Sequence, residues 1–345
     1  MTGSSKRTVV LLAALTLVLL TSCIYGLAVS PRNSQAVNIV SEKTLIPGGE
    51  SIGVRMDVAG VLIVDLEGAA EYSGLKKGDK IIAVDGIKVT NAQEVQNYVN
   101  RIRDSIELTV ERNGCNRKYT IVPQKSSTDN TYRLGIWIKD KTAGIGTLTY
   151  YDPDNMTFGA LGHPILDSET GTRLDIEKGE LLSSEIIGIQ KGEAGTPGEI
   201  QGVFREPDKP LGELIKNTDY GIFGTAKIKD INKKAVPVAY QQQVKEADAY
   251  ILTTLEDNTV KKYKVEIEKK EKQTSADTKS MVVHVTDKRL LEKCGGIVQG
   301  MSGSPIIQNG RLIGAITHVF LEDPTRGYAV YIEWMLEQSR SIMQY

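Results

Sequence analysis

Gly300-Met301-Ser302-Gly303-Ser304-Pro305-Ile306-Ile307 runs directly into Gln308-Asn309-Gly310-Arg311-Leu312-Ile313-Gly314-Ala315-Ile316-Thr317. Glycines around a serine let the backbone turn tightly, so that the amides of Gly300 and Ser302 can point at one oxyanion. Two apolar strands follow, joined by Asn309-Gly310, a two-residue hairpin connection. A lone Ser-Gly-x-Pro is an ordinary turn; with this hairpin behind it, the stretch reads as the seat of a nucleophilic serine. The spacing selects Ser302 over Ser304, because Ser302 has a glycine two residues upstream to supply the second oxyanion amide.

A serine hydroxyl is a weak nucleophile until an imidazole takes its proton, and a carboxylate usually orients that imidazole. The chain has three histidines. His318 lies on the second hairpin strand, beside the expected cleft. His284, in Val282-Val283-His284-Val285, alternates like a structural strand residue. His163 sits in a glycine-rich turn, Phe158-Gly159-Ala160-Leu161-Gly162-His163-Pro164-Ile165, well before the serine, and is assigned as general base. For the acid, Asp167, Asp175 and Asp287 are all placed to serve, and spacing alone does not choose among them.

Serine turn, hairpin and upstream histidine together resemble the chymotrypsin-type proteases. Short β-type runs recur through the C-terminal two thirds, at Ile145–Tyr150, Gly221–Ala226, Ala249–Thr254, Val260–Ile267 and Met281–Val285. Such spacing predicts a Greek-key pair of β-barrels, so the fold class is mainly β. Residues Asn232 to Lys245 read as the connection between halves, and the charged run Glu268 to Lys279 as an exposed loop.

Ahead of this lies a different kind of unit. "Ala-x-x-x-Gly-Leu-x-x-Gly-Asp-x-Ile-x-x-Val-Asp-Gly", from Ala70 to Gly86, resembles the PDZ family, an α+β domain, and places that domain at 50–123. A helix is expected from Asn91 to Asn100, capped by the Asn91 side chain, and a strand from Ser105 to Arg112. In that family an extended peptide adds beside one helix, its terminal carboxylate held by loop amides. Ser51-Ile52-Gly53-Val54 is the expected counterpart of that loop, although it departs from the usual Gly-Leu-Gly-Phe. A polar stretch, Lys125 to Asn130, then marks the boundary to a peptidase domain at 131–345.

The N-terminus carries Lys6 and Arg7 before an apolar run from about Val9 to Val29. About 20 such residues span a bilayer, and the flanking charges hold the N-terminus inside. Residues 1–30 are therefore expected to be a transmembrane signal anchor and 31–49 a linker, with the rest of the chain outside the cytoplasm. Leu20-Thr21-Ser22-Cys23 also resembles a lipoprotein processing site, which would leave a lipidated Cys23. Net charge is −1 and basic residues are scattered, which excludes a nucleic-acid-binding surface. Three cysteines make neither a disulfide framework nor metal-ligand spacing; no metal or other cofactor is expected, and a Cys115–Cys294 bridge is not established by sequence.

The whole order, from anchor through PDZ to Gly-Ala-Leu-Gly-His-Pro-Ile and Gly-Ile-Val-Gln-Gly-Met-Ser-Gly-Ser-Pro-Ile with Thr-His-Val-Phe beyond, resembles the stage IV sporulation protein B (SpoIVB) peptidases of spore-forming bacteria. That resemblance implies a serine endopeptidase with Ser302 as nucleophile, His163 as base, Asp287 as acid and Gly300 in the oxyanion site. It implies Thr317 as the hydroxyl supporting the acid, with Asp175 still open as the acid. It also implies insertion into the forespore membrane with the catalytic part in the intermembrane space, self-cleavage, and cleavage of a membrane-bound regulator of an intramembrane metalloprotease, which activates a mother-cell sigma factor. The competing reading is a PDZ-based scaffold with a silent barrel; Ser302, His163, Gly300 and Thr317 are all of catalytic type, which a scaffold does not need.

Overall fold

The computed structural model describes residues 42–102, 104–126, 128–227, 233–340 and 342. The expected anchor, Cys23, most of the linker and Asn232 of the inter-barrel connection lie outside the described residues. Among the described residues no helix is long and apolar enough to cross a membrane. From Lys43 onward the chain forms one compact unit.

Two closed barrels make up its body. In the first, the strands Ser51–Leu66, Ile136–Asp152, Thr157–Ala160, Gly221–Ala226, Gly212–Thr218 and Ile176–Gln190 pair in a ring that returns to Ser51–Leu66. Alternation drives it: Ile52, Val54, Met56 and Val58 point one way and pack with Leu161, Leu181, Leu214 and Ile222. In the second barrel, Asp248–Thr254, Val260–Lys270, Met281–Val285, Arg326–Tyr331, Arg311–Val319 and Pro305–Gln308 close in the same way. Closure leaves neither ring with an unpaired edge. Tyr150 and Phe223 of the first barrel pack with Leu312 and Val330 of the second and Met335 of the terminal helix Ile332–Arg340. Glu268 to Lys270, expected in a loop, continue a strand, with Glu268 paired to Arg326.

The PDZ fold is present, but its place is not the expected one. Its strands Lys80–Val84, Ile106–Arg112 and Cys115–Ile121 and its helix Ala92–Arg101 surround a core of Val61, Ile63, Ile81, Val95, Val99 and Leu108. Asn91 caps the helix as predicted, its Oδ1 accepting from the Glu94 amide at 2.9 Å. The domain does not precede the peptidase; it is inserted between the first two strands of the first barrel. Ser51–Leu66 and Ile136–Asp152 each run through both units, pairing Ser51–Asp57 with Lys141–Thr147 in the barrel and Leu62–Leu66 with Ile136–Lys139 in the PDZ fold. Gly60, at φ +82°, lies in the bulge between the two paired stretches.

This overturns the expected peptide-binding loop. Ser51, Ile52, Gly53 and Val54 form a barrel strand bonded to Gly144–Thr147 on one edge, and Ile52–Val54 to Leu181–Ser183 on the other. Amides already spent on both neighbours leave nothing for a carboxylate.

Candidate active site

Ser302 and His163 come from different barrels and meet across a cleft of about 570 Å³ that Gly300, Thr317 and His318 also line. The serine turn is tight because glycines hold it: Gly300 and Gly303 have φ +94° and +95°. A Cβ on Gly303 would lie 2.1 Å from the Thr147 carbonyl oxygen, so no side chain fits there. Ser302 Oγ reaches the cleft and donates to the Thr317 carbonyl at 2.7 Å. Ser304 is fully buried and its hydroxyl has no partner among the described residues, which excludes it as the nucleophile.

The Gly300 and Ser302 amides are oriented by their neighbours. The Gln299 carbonyl accepts from Ile200 N at 2.8 Å, and the Met301 carbonyl from Ser304 N at 2.9 Å. In a trans peptide the C=O and the following N–H point opposite ways. The N–H groups of Gly300 and Ser302 are thereby turned away from those contacts, and neither donates to a backbone carbonyl among the described residues.

His163 follows Leu161 and Gly162, both at positive φ (67° and 73°), in a tight turn that leaves it lining the cleft. Its Nδ1 lies 2.8 Å from the Pro164 carbonyl oxygen. A carbonyl only accepts, so Nδ1 carries the proton and Nε2 is the basic nitrogen. Burial holds its pKa below the ordinary imidazole value, with the Pro164 carbonyl opposing. The turn beyond is pinned by Asp167, which is 1% exposed and accepts from Thr170 N at 2.9 Å and Lys139 Nζ at 2.9 Å. Burial pushes the Asp167 carboxyl up, but Lys139 and Thr170 outweigh it and hold it below its usual value. The His318 ring is tilted 38° to that of His163 with centroids 5.0 Å apart. Burial, then the neighbouring His163 and Lys279, push the His318 pKa down to about 4.

No carboxylate is a hydrogen-bond partner of His163 among the described residues. Asp287 is not brought to the cleft. Its oxygens accept from Arg289 Nε at 3.0 Å, Arg289 Nη2 at 2.8 Å and Lys264 N at 3.1 Å, and it caps the helix Lys288–Cys294. Asp175 pairs with Lys80 at 2.7 Å. Thr317 serves through its carbonyl; its buried hydroxyl supports no acid and has no partner among the described residues. His284 is the strand residue expected, paired with Glu268. Cys115 and Cys294 are both free.

Beside the PDZ helix stands a segment that sequence reading missed. Gln96 Nε2 donates to the Tyr132 carbonyl and Tyr132 N to Asn100 Oδ1, each at 3.1 Å, and Ala92 N donates to Asp140 Oδ2 at 2.8 Å. Leu134-Gly135-Ile136 leads into this strand, with Gly135 at φ +71° and its carbonyl accepting from Glu67 N. Leu-Gly-Ile is nearer to Leu-Gly-Phe than is Ile-Gly-Val, and that was the available signal.

Residues 130–336 match the SpoIVB peptidase S55 family model and residues 61–112 that of the PDZ domain. The chain belongs to the SpoIVB peptidase S55 family. In this SpoIVB-family chain the PDZ domain is an insertion between two strands of the first barrel. Curated relatives include the putative zinc metalloprotease Atu1380 of Agrobacterium fabrum, 36% identical over 92 residues, and the zinc metalloprotease RasP of Geobacillus kaustophilus, 31% identical over 97. Each match takes 25% of this chain and 24% or 22% of the relative, so the chain spans about a quarter of their length, within the PDZ domain. Similar solved structures include the active Rv3671c protease of M. tuberculosis (14% identity, TM-score 0.35, 57% of this chain and 73% of that one). Another is a serine-to-alanine variant of the HtrA-type protease AlgW with a decapeptide (10% identity, TM-score 0.38, 86% and 64%). The double-barrel architecture of this SpoIVB peptidase stands on its own strand pairing.

Proposed function

We propose that the protein is a membrane-tethered endopeptidase working through a Ser302–His163 dyad. The observation that carries this is that Ser302, His163 and Gly300 line one cleft between the barrels, where the Gly300 and Ser302 amides have no backbone acceptor among the described residues. When a peptide carbonyl enters, Ser302 Oγ leaves the Thr317 carbonyl and attacks, while His163 Nε2 takes its proton. The oxygen of the tetrahedral intermediate receives hydrogen bonds from Gly300 N and Ser302 N. His163 then protonates the departing amine, and a water deprotonated by the same nitrogen hydrolyses the acyl-enzyme. The Pro164 carbonyl orients the ring in place of a carboxylate. Ile297, Val298 and Val319 also line the cleft and suit an apolar side chain beside the scissile bond.

The cellular setting we propose draws its support from the family resemblance and the N-terminal sequence. The apolar run after Lys6 and Arg7 supports an anchor that puts the peptidase outside the cytoplasm, in the intermembrane space around the forespore. Its targets are then its own N-terminal region and a membrane-bound regulator of an intramembrane metalloprotease, whose release activates a mother-cell sigma factor. The PDZ domain receives a peptide between Ile136–Asp140 and the helix, with Leu134–Ile136 at its carboxylate end.

Incubating the full chain and Ser302→Ala side by side, and following both by intact mass, tests the reading. Self-cleavage confined to the wild type, with fluorophosphonate adding at Ser302, is expected. A folded wild type that neither cleaves nor reacts with the probe leaves only the scaffold role.

A further inference from the structure

Thr147 belongs to the first barrel, yet it holds the nucleophile turn of the second. It is 2% exposed. Its backbone N–H donates to the Ser302 carbonyl at 3.0 Å, and its Oγ1 donates to the Gly300 carbonyl at 2.7 Å. The two carbonyls bracket Met301 and the Ser302 amide, so one residue grips the turn on both sides of an oxyanion donor. Its own carbonyl accepts from Leu161 N at 3.3 Å, two residues before His163. Nucleophile, oxyanion turn and base loop are therefore each one hydrogen bond from the same threonine.

The strand explains the residue type. Residues i and i+2 of a strand share a face, and Thr149 repeats the contact, its Oγ1 donating to the Gly303 carbonyl at 2.8 Å. A β-branched side chain suits the strand, and only a hydroxyl among such side chains can satisfy a buried carbonyl. Valine would fill the same space and leave the Gly300 carbonyl unpaired.

We propose that Thr147 is a positioning residue for the peptidase reaction: its hydroxyl sets the turn that presents Ser302 Oγ and the Gly300 and Ser302 amides, without touching substrate. This rests on the Ser302–His163 reading. The test is the rate at which a fluorophosphonate labels Ser302 in the full chain, read by intact mass, for wild type, Thr147→Val, Thr147→Ser and Thr149→Val. Thr147→Val slows labelling about 10- to 100-fold. Thr147→Ser, which keeps the hydroxyl, labels within about 3-fold of wild type, and Thr149→Val lowers the melting temperature as much as Thr147→Val while slowing labelling far less. If Thr147→Val does not fold, Thr147→Ala, which adds no bulk, carries the comparison. A Val variant that labels at the wild-type rate overturns the proposal. So does a serine variant as slow as valine, or a Thr149→Val variant equally slow, since either reduces Thr147 to a packing role. A wild type that is not labelled removes the serine-peptidase reading itself, and this one with it.

Discussion

His163 Nδ1 and the carbonyl oxygen of Pro164, the next residue, lie 2.8 Å apart. The contact fixes the tautomer with Nε2 basic, which is the service an aspartate performs in a triad. A neutral carbonyl does it without adding a full negative charge, so it offsets the effect of burial on the imidazole only in part. The pKa of His163 is accordingly held below its ordinary value, where a carboxylate would have raised it.

The pH profile should show this. With neutral His163 as the proposed base, kcat/KM falls when acid protonates it, and the acid limb is expected below the ordinary imidazole value of about 6.5. Stability follows the same direction. A depressed folded pKa means that the unfolded chain takes up the proton first, so stability is lost as pH falls through the ordinary value toward the folded one. An acid limb above about 6.5 would place a carboxylate against the ring.

Asp287→Asn separates a structural acid from a catalytic one. Arg289 above all, with the Lys264 amide, holds the Asp287 carboxyl down to about 2. Its contribution to stability is present above the usual carboxylate value and is lost as pH falls from about 4 toward that lower value. Asparagine keeps the cap and loses the ion pair, so melting should drop by a few degrees with kcat within about 10-fold of wild type; Asp287→Ala should cost about 1–2 kcal/mol. A fall in kcat near 10⁴-fold with unchanged melting would return the acid role to Asp287.

Thiol reactivity should divide by burial. Cys115 is exposed, while Cys294 is buried and its pKa is pushed up to about 11 by that burial. In a Cys23→Ser chain, Cys115 should be alkylated quickly at neutral pH and Cys294 only on unfolding. Counting labelled thiols by mass before and after denaturant checks both.

The inserted PDZ domain makes a prediction about truncation. A chain starting at residue 130 keeps every residue matched to the peptidase family but loses the barrel strand Ser51–Asp57. With that strand gone, Gly144–Thr147 and Leu181–Ser183 lose a shared partner and the ring opens. Such a chain should lack cooperative thermal unfolding by circular dichroism, whereas a chain starting at Lys43 should retain it.

Features that depend on near neighbours in sequence were legible without a structure. The serine turn, the hairpin after it, the glycine-rich His163 turn and the Asn91 cap each need residues a few positions apart, and backbone sterics make glycine or a capping oxygen nearly obligatory there. The Ala70–Gly86 signature and the choice of Ser302 over Ser304 are of the same kind. What only the tertiary structure decided is non-local. No spacing announces that Ser51 pairs with Thr147, that a domain is threaded between two barrel strands, or that Thr147 grips Gly300 and Ser302. The acid was misplaced for the same reason: a carboxylate at a strand end looks alike whether it faces a histidine or an arginine. Side-chain chemistry names the groups able to react; which of them meet depends on strand register and barrel closure, where hydrogen bonds join residues a hundred or more positions apart.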